Sequence, residues 1–265
     1  MGDPMQSSLR FAPWVDPATR RLPGTVPVRL DDWLVVDDAY AGQMALRDRL
    51  VAERPAAVLA QDADAAPAAV ELLDIVLDRL PALGFACGTD AVRRPDAITV
   101  AIDRTAPMAT LCRLVAEDLC LMDSRPSIST DEHVLVAAAL CFPAGWRLDQ
   151  KFLRPMVAIH GPVARYDDTV ALRVQRLLNG IQPGRGIMRG TAHWSGSPLH
   201  NPLSEDQKAQ PPADTPHIRV ERQCLFRLPV SGAVVFSIHT SIVMPEALSP
   251  DQAALLAEFP IRRSA

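Results

Sequence analysis

Lysine is nearly missing from this chain: of its 27 basic residues only Lys151 and Lys208 are lysines, and the rest are arginine. Arginine offers a rigid planar fork for carboxylates and phosphates, so the skew suits an anionic ligand, although the codon preference of a GC-rich genome produces the same bias. A formal net charge of −4 excludes a sequence-independent nucleic-acid binder, which needs a concentrated cationic excess. Cysteine is also sparse. Cys87, Cys112, Cys120, Cys141 and Cys224 contain no C-x-x-C pair, which excludes a disulfide framework, a cysteine zinc site and covalent c-type haem attachment, and implies a reducing compartment.

No apolar run is long enough to span a bilayer; those such as Val134 to Phe142 are far too short. The stretch MGDPMQSSLRFAPW has no basic segment leading into an apolar one, and Gly2 is not followed by the hydroxyl residue of a myristoylation motif. A cytoplasmic protein with no membrane attachment is expected. The phosphate-binding and hydrolytic signatures are missing too. GRG at 184–186 lacks the spacing of a dinucleotide fingerprint, and there is no G-x-x-x-x-G-K-[ST], H-E-x-x-H or G-x-S-x-G.

What is present is ordinary globular composition over 265 residues, 48% hydrophobic and 22% charged, enough to bury a sizeable core in one domain. Residues 1–36, rich in proline and short apolar patches, read as an irregular arm over a body formed later. Hydrophobic periodicity predicts helices over about 37–53 with Asp37 or Asp38 as cap, 68–80, 108–122 and 168–180, and a short one from Pro250 to Glu258. Strands are expected over 97–103, 133–142 and around 189–194. The clearest local signal is an antiparallel hairpin, 218–228 and 233–243, joined by a turn at Pro229–Gly232. In its second strand Val235, Ser237, His239 and Ser241 share one face and Val234, Phe236, Ile238 and Ile242 the other, because strand side chains alternate.

Six histidines are candidates for chemistry, none at the spacing of a two-histidine site on one helix. A porphyrin brings four nitrogens of its own, so one imidazole suffices to hold haem iron. His160 is the most suggestive: it follows the apolar segment Met156–Ile159, precedes Gly161-Pro162, and lies just before a helix carrying Arg173 and Arg176. The alternative is a satisfied structural histidine.

The segments LVAEDLCLM (114–122), CFPAGWRLDQKF (141–152), IHGPVARY (159–166) and IRVERQCLFRLPVSGAVVFSIHT (218–240), taken in this order, resemble the haem-dependent oxidative N-demethylase family. A looser similarity includes LDDWLVVDDAYAGQMALRDRLVAER, so the resemblance covers about residues 10–243. It implies an α+β, PAS-like fold, a twisted antiparallel sheet with packed helices enclosing haem b. Characterised members use dioxygen at the haem to remove an N-methyl group from a secondary amine as formaldehyde, with electrons from flavin and iron-sulfur reductase components. This chain has neither a cysteine cluster nor a flavin fingerprint, so the resemblance implies a small-molecule substrate, dioxygen and an external electron-donor reductase.

Carried onto this sequence, the resemblance makes His160 the axial iron ligand. Tyr166, in the same motif, offers a phenol near the pocket or satisfies one backbone group. Glu221 and Arg222 match the family's Arg-x-Glu-Arg-Gln segment, and adjacent strand residues point oppositely, so at most one faces the haem; Arg227 shares the face of Glu221. His193-Trp194 stands where the family commonly has Asn-Trp, and His239 where it has Arg, replacing a permanent charge with a group that titrates near neutrality. His239, His193 and Glu221 are thus candidates for distal polar groups, with core packing the alternative for His239. Arg173 or Arg176 is the candidate for the haem propionates, and Arg222 and Trp194 are further cofactor contacts. A non-catalytic haem-binding gas sensor, or a pocket that has lost haem and binds another small molecule or a partner protein, uses the same scaffold.

Overall fold

A computed structural model describes residues 3–21, 24–161, 168–203 and 216–263. In chain order the helices are α1 (Pro17–Arg20), α2 (Tyr40–Glu53), α3 (Pro55–Val58), α4 (Ala66–Leu77), α5 (Pro107–Leu114), α6 (Met156–His160), α7 (Asp168–Gly180) and α8 (Pro250–Glu258). The strands are β1 (Val26–Val28), β2 (Leu59–Gln61), β3 (Ala86–Cys87), β4 (Ala91–Arg93), β5 (Thr99–Ala101), β6 (Asp118–Arg125), β7 (Ser129–Ala139), β8 (Gly186–Ser195), β9 (His217–Arg227), β10 (Val234–Val243) and β11 (Arg262–Arg263). The fold is α+β. Strands β1-β8-β9-β10-β6-β7-β2 form one sheet, with β11 paired to β8, and β3-β4-β5 form a small second sheet. The predicted hairpin is present as β9 and β10, paired from Val234↔Arg227 to Val243↔Ile218, and Gly232 closes its turn at φ 75°.

The two faces of the large sheet pack against different partners. One face carries Leu119, Leu121, Val134, Val136, Cys224, Phe226 and Val235 into the main core with α2, α4, α5 and Trp33. Trp33, fully buried, donates its indole N–H to Ser237 Oγ at 2.9 Å and packs on Phe226 with ring centroids 4.4 Å apart. Towards one end of this face the arm residues Leu9, Trp14 and Phe11 pack with Ile218, Val220, Trp194 and α8. Gly190 permits that approach, because a Cβ there would lie 2.5 Å from the Phe11 ring. The opposite face carries Cys120, Met122, Leu135, Ala138, Ile187, Leu225, Val234 and Phe236 towards α6, α7 and Leu148.

Three expectations fail informatively. The helix expected over 108–122 ends at Leu114, and 118–125 is a central strand. Leu119 and Leu121 enter one core while Cys120 and Met122 enter the other. A strand buried on both faces is apolar throughout and imitates helical spacing when read as sequence. The helix expected from Asp37 starts at Tyr40, and its N-cap position is taken by Ala39, which has no capping side chain. Asp37 and Asp38 turn instead to Gln6 and His239 and to Ser7. The strand expected over 97–103 is confined to Thr99–Ala101.

Asp118 locks the start of β6. Its carboxylate accepts from Arg47 Nη1 at 2.7 Å and from the backbone N–H groups of Cys141 and Phe142 at 2.7 and 2.8 Å. Arg47, fully buried, donates in addition to the carbonyls of Cys112, Ala116 and Glu117. Removing one partner of a buried pair strands the other's charge. Asp118→Ala is therefore expected to lower the unfolding free energy in urea by about 3–5 kcal/mol, while Arg29→Ala, which breaks an exposed pair with Asp31, shifts it by under about 0.5 kcal/mol. A loss of less than about 1 kcal/mol for Asp118→Ala would contradict this account.

Candidate functional site

The sheet face beneath α6 and α7 is not sealed. Ile187 on β8, Leu225 on β9 and Phe236 on β10 sit in central strands that are covered at both sides by neighbours, yet each is half-buried, as are Met156, Ile159 and His160 of α6 and Val174 of α7. Central-strand apolar residues are normally buried completely, so the partial exposure of these marks an apolar stretch of the sheet that α6 and α7 cover incompletely.

Local contacts hold the helices over this stretch. Val157 N–H donates to Glu132 Oε2 at 2.7 Å at the start of α6, and Lys151 Nζ donates to the Ile159 carbonyl near its end. Gln175 on α7 bonds both the backbone N–H and the ring Nδ1 of His133 on β7, at 3.0 and 2.7 Å. Arg227, on the cleft face of β9 as expected, spans the end of α7 through the carbonyls of Leu178 and Ile181 at 2.7 and 2.8 Å. The exposed Leu172 and Leu177 lie on the outer side of α7.

His160 ends α6. Its Nδ1 lies 2.9 Å from the Met156 carbonyl, which can only accept, so the proton sits on Nδ1 and the lone pair on Nε2. Burial lowers its pKa; the Met156 bond opposes this, and the positive charges of Lys151 and Arg189 add to the lowering. The imidazole is thus held neutral, the form that ligates a metal, with the backbone bond that typically orients such a ligand. Among the described residues no group of three His, Cys, Asp or Glu is placed to hold a metal ion. A metal carried by a macrocycle needs only one protein ligand, and His160 beside an incompletely covered apolar face fits that requirement.

A polar chain runs along the same face. Arg219 Nε donates to Glu221 Oε1 at 3.3 Å, Gln223 Nε2 and Thr191 Oγ1 donate to Glu221 Oε2 at 2.9 and 3.4 Å, and Arg189 Nε donates to Gln223 Oε1 at 2.8 Å. The register produces this line, since Arg189, Thr191 and His193 stand directly opposite Gln223, Glu221 and Arg219. His193 is half-buried with its pKa lowered by burial; Glu221 opposes that shift and Arg219 adds to it. Arg219 is sealed in by the carbonyls of Phe142 and Leu199 and by Thr240 Oγ1.

The structure separates the sequence candidates. His160, Glu221 and His193 share the cleft face. His239 does not: it lies on the opposite face with Ser237, where Nδ1 meets Glu117 Oε1 at 3.2 Å and Nε2 meets Asp37 Oδ2 at 3.3 Å. Burial alone would depress its pKa, but the bonds and charges of the two carboxylates raise it to about 9. His239 is a buried imidazolium in the structural core, in line with its packing alternative. Arg222 points the same way and ties β9 to the arm through the carbonyls of Trp33 and Asp32, both at 2.8 Å. Trp194 packs under the arm and α8, also away from the cleft. Arg173 and Arg176 are exposed on α7, opposite its buried residue Leu178, so the propionate role expected of them has no support in their placement. Tyr166 lies outside the described residues. Sequence reading missed Arg189, Arg219 and Gln223; the alternations Arg189-Thr191-His193 and Arg219-Glu221-Gln223 in two successive strands are the signals that could have found them.

The family model described as haem-dependent oxidative N-demethylase, alpha subunit-like, matches residues 24–258. The chain belongs to that family. The match takes in both strands of the hairpin, α6, α7 and β8, so the whole cleft of this N-demethylase-like chain lies inside the family region. No curated protein matches it. Among the described residues no helix of this family member is long and apolar enough to cross a membrane.

The pairing of His239 has a pH consequence with a defined sign. Its folded pKa exceeds its unfolded value of about 6.5, so its contribution is complete below that value and is lost as pH rises through about 9. Asp37 is lowered, burial being outweighed by its bonds to His239, Gln6 and Ala39, so its contribution is lost as pH falls through the acid range. Urea unfolding should therefore show stability declining between pH about 6.5 and about 9, and His239→Gln should remove that decline while costing about 3–5 kcal/mol near neutrality. An unchanged slope in His239→Gln would place the titration elsewhere.

Proposed function

We propose that this protein is a haem-dependent, oxygen-using oxidoreductase that removes an N-methyl group from an amine, with haem b seated between the sheet and α6. The observation that carries the reading is His160: a neutral imidazole whose tautomer is fixed by its own helix, beside an accessible apolar floor, at the position where the family resemblance puts the iron ligand. The sheet with helices packed over one open face is consistent with a PAS-like cofactor site.

Haem in this setting supplies the activation of dioxygen. The chain's own residues do the rest. Ile187, Leu225, Phe236, Met156 and Ile159 provide an apolar seat and limit water. Glu221, the acidic group of the cleft face, accepts one bond on Oε1 and two on Oε2 and so keeps acceptor capacity for a substrate N–H. His193, kept neutral, is placed on the same face to hold or pass a proton. Electrons come from a separate reductase, and His239, Arg222 and Trp194 serve the architecture instead.

The test is formaldehyde release from N-methyl amines by haem-loaded, full-length protein supplied with oxygen and an electron donor. Turnover is expected, reduced by about a hundredfold or more in His160→Ala and by about tenfold to a thousandfold in Glu221→Gln. Haem-loaded protein that binds oxygen yet releases no formaldehyde from any N-methyl amine would refute the enzymatic reading in favour of a sensor or carrier.

A further inference from the structure

Arg189 is the charged group of the cleft that the proposed chemistry leaves without a role. It projects from the middle of β8 onto the face of Glu221, Gln223 and Leu225, and it is half-buried. Its Nε is used by the neutral Gln223 side-chain oxygen at 2.8 Å. Among the described residues no carboxylate lies within ion-pair distance of its guanidinium, and its one hydrogen bond is to Gln223, whereas Arg47, Arg94, Arg125 and Arg219 have acidic partners and the likewise half-buried Arg79, Arg222 and Arg227 each donate to two or more backbone carbonyls. Glu221, the acidic residue of the polar chain, is joined to Arg219 directly and to Arg189 only through Gln223.

A partly desolvated cation that lacks a counter-charge is costly, and buried charges are as a rule paired. Burial indeed lowers the Arg189 pKa, with Glu221 offsetting it incompletely. With Nε engaged, the remaining donors are the two Nη amino groups, whose end-on fork matches the two oxygens of a carboxylate. On β8 it stands two residues from Ile187 and diagonally across from Leu225, so the fork lies beside the apolar floor of the proposed cofactor seat and not at a distant surface.

We propose that Arg189 is an anion-binding residue of the cleft that receives a carboxylate. The carboxylate has two possible sources, a propionate of the porphyrin or the acid group of an N-methyl amino acid, and the inference rests on the haem reading only for the first. Gln223 holds the guanidinium in place and keeps it from collapsing onto Glu221, which leaves the negative charge for an amine and the positive charge for an acid on one strand face.

The experiment compares wild type, Arg189→Gln and Arg189→Lys in the full chain, after thermal unfolding establishes that each variant is folded. Haem b and its neutral dimethyl ester are titrated by absorption; N-methylglycine, acetate and dimethylamine are titrated by calorimetry on the protein as purified. If the propionate is the anion, wild type prefers haem b over the ester by about tenfold or more and Arg189→Gln removes that preference. If the substrate acid is the anion, wild type binds N-methylglycine about tenfold or more tightly than dimethylamine, Arg189→Gln erases the difference, and Arg189→Lys keeps part of it. Failure of wild type to bind haem at all would defeat the haem reading while the calorimetric arm still decides on Arg189. A folded Arg189→Gln protein that matches wild type in both arms overturns the proposal.

Discussion

The two-residue period of the β9–β10 hairpin is the constraint on which everything else in this molecule depends. It sends Glu221 and Gln223 to one side of the sheet and Arg222 and Cys224 to the other, and in β10 it separates Phe236 from His239. One side then becomes a closed structural core and the other an accessible face with a polar chain. A shift of register by one residue would exchange the two sets and bury the chemistry inside the main core.

The structural side is unusually rich in charge. Arg47 with Asp118, and His239 with Asp37 and Glu117, are ion pairs buried within it. Such pairs contribute little net stability compared with apolar packing, but they are intolerant of losing one member and so specify a single arrangement of the strands and the arm. Gln6 adds to this by bonding Asp37 and both backbone groups of Ile242, which fastens the arm to the last long strand. The cleft side can then remain incompletely packed without loosening the sheet that supports it.

The hairpin, its turn and the division of its faces were legible in the sequence because alternation is a local property. So were α4 and α7, from their periodicity, and the short helix α8. Strand β6 was not legible, since burial on both faces erases alternation. The site was legible only in part. His160, Glu221 and His193 lie on the face that stays accessible and His239 on the other, and a sequence shows which residues share a strand face but not which face opens to a ligand. Arg173 and Arg176 follow His160 closely in the chain, whereas Arg189 reaches the sheet face that packs towards α6 from a strand some 30 residues further on. Long-range pairing decides that, and no local pattern contains it.

The central claim is that one face of this sheet holds a haem whose iron is bound by His160. Pulsed electron paramagnetic resonance of the haem-loaded ferric protein, labelled with nitrogen-15 at histidine, tests it most directly. The account predicts coupling from an axial imidazole that disappears in His160→Gly and returns, unlabelled, when imidazole is added. Histidine coupling that persists in His160→Gly, or that vanishes in His239→Gln instead, would contradict it.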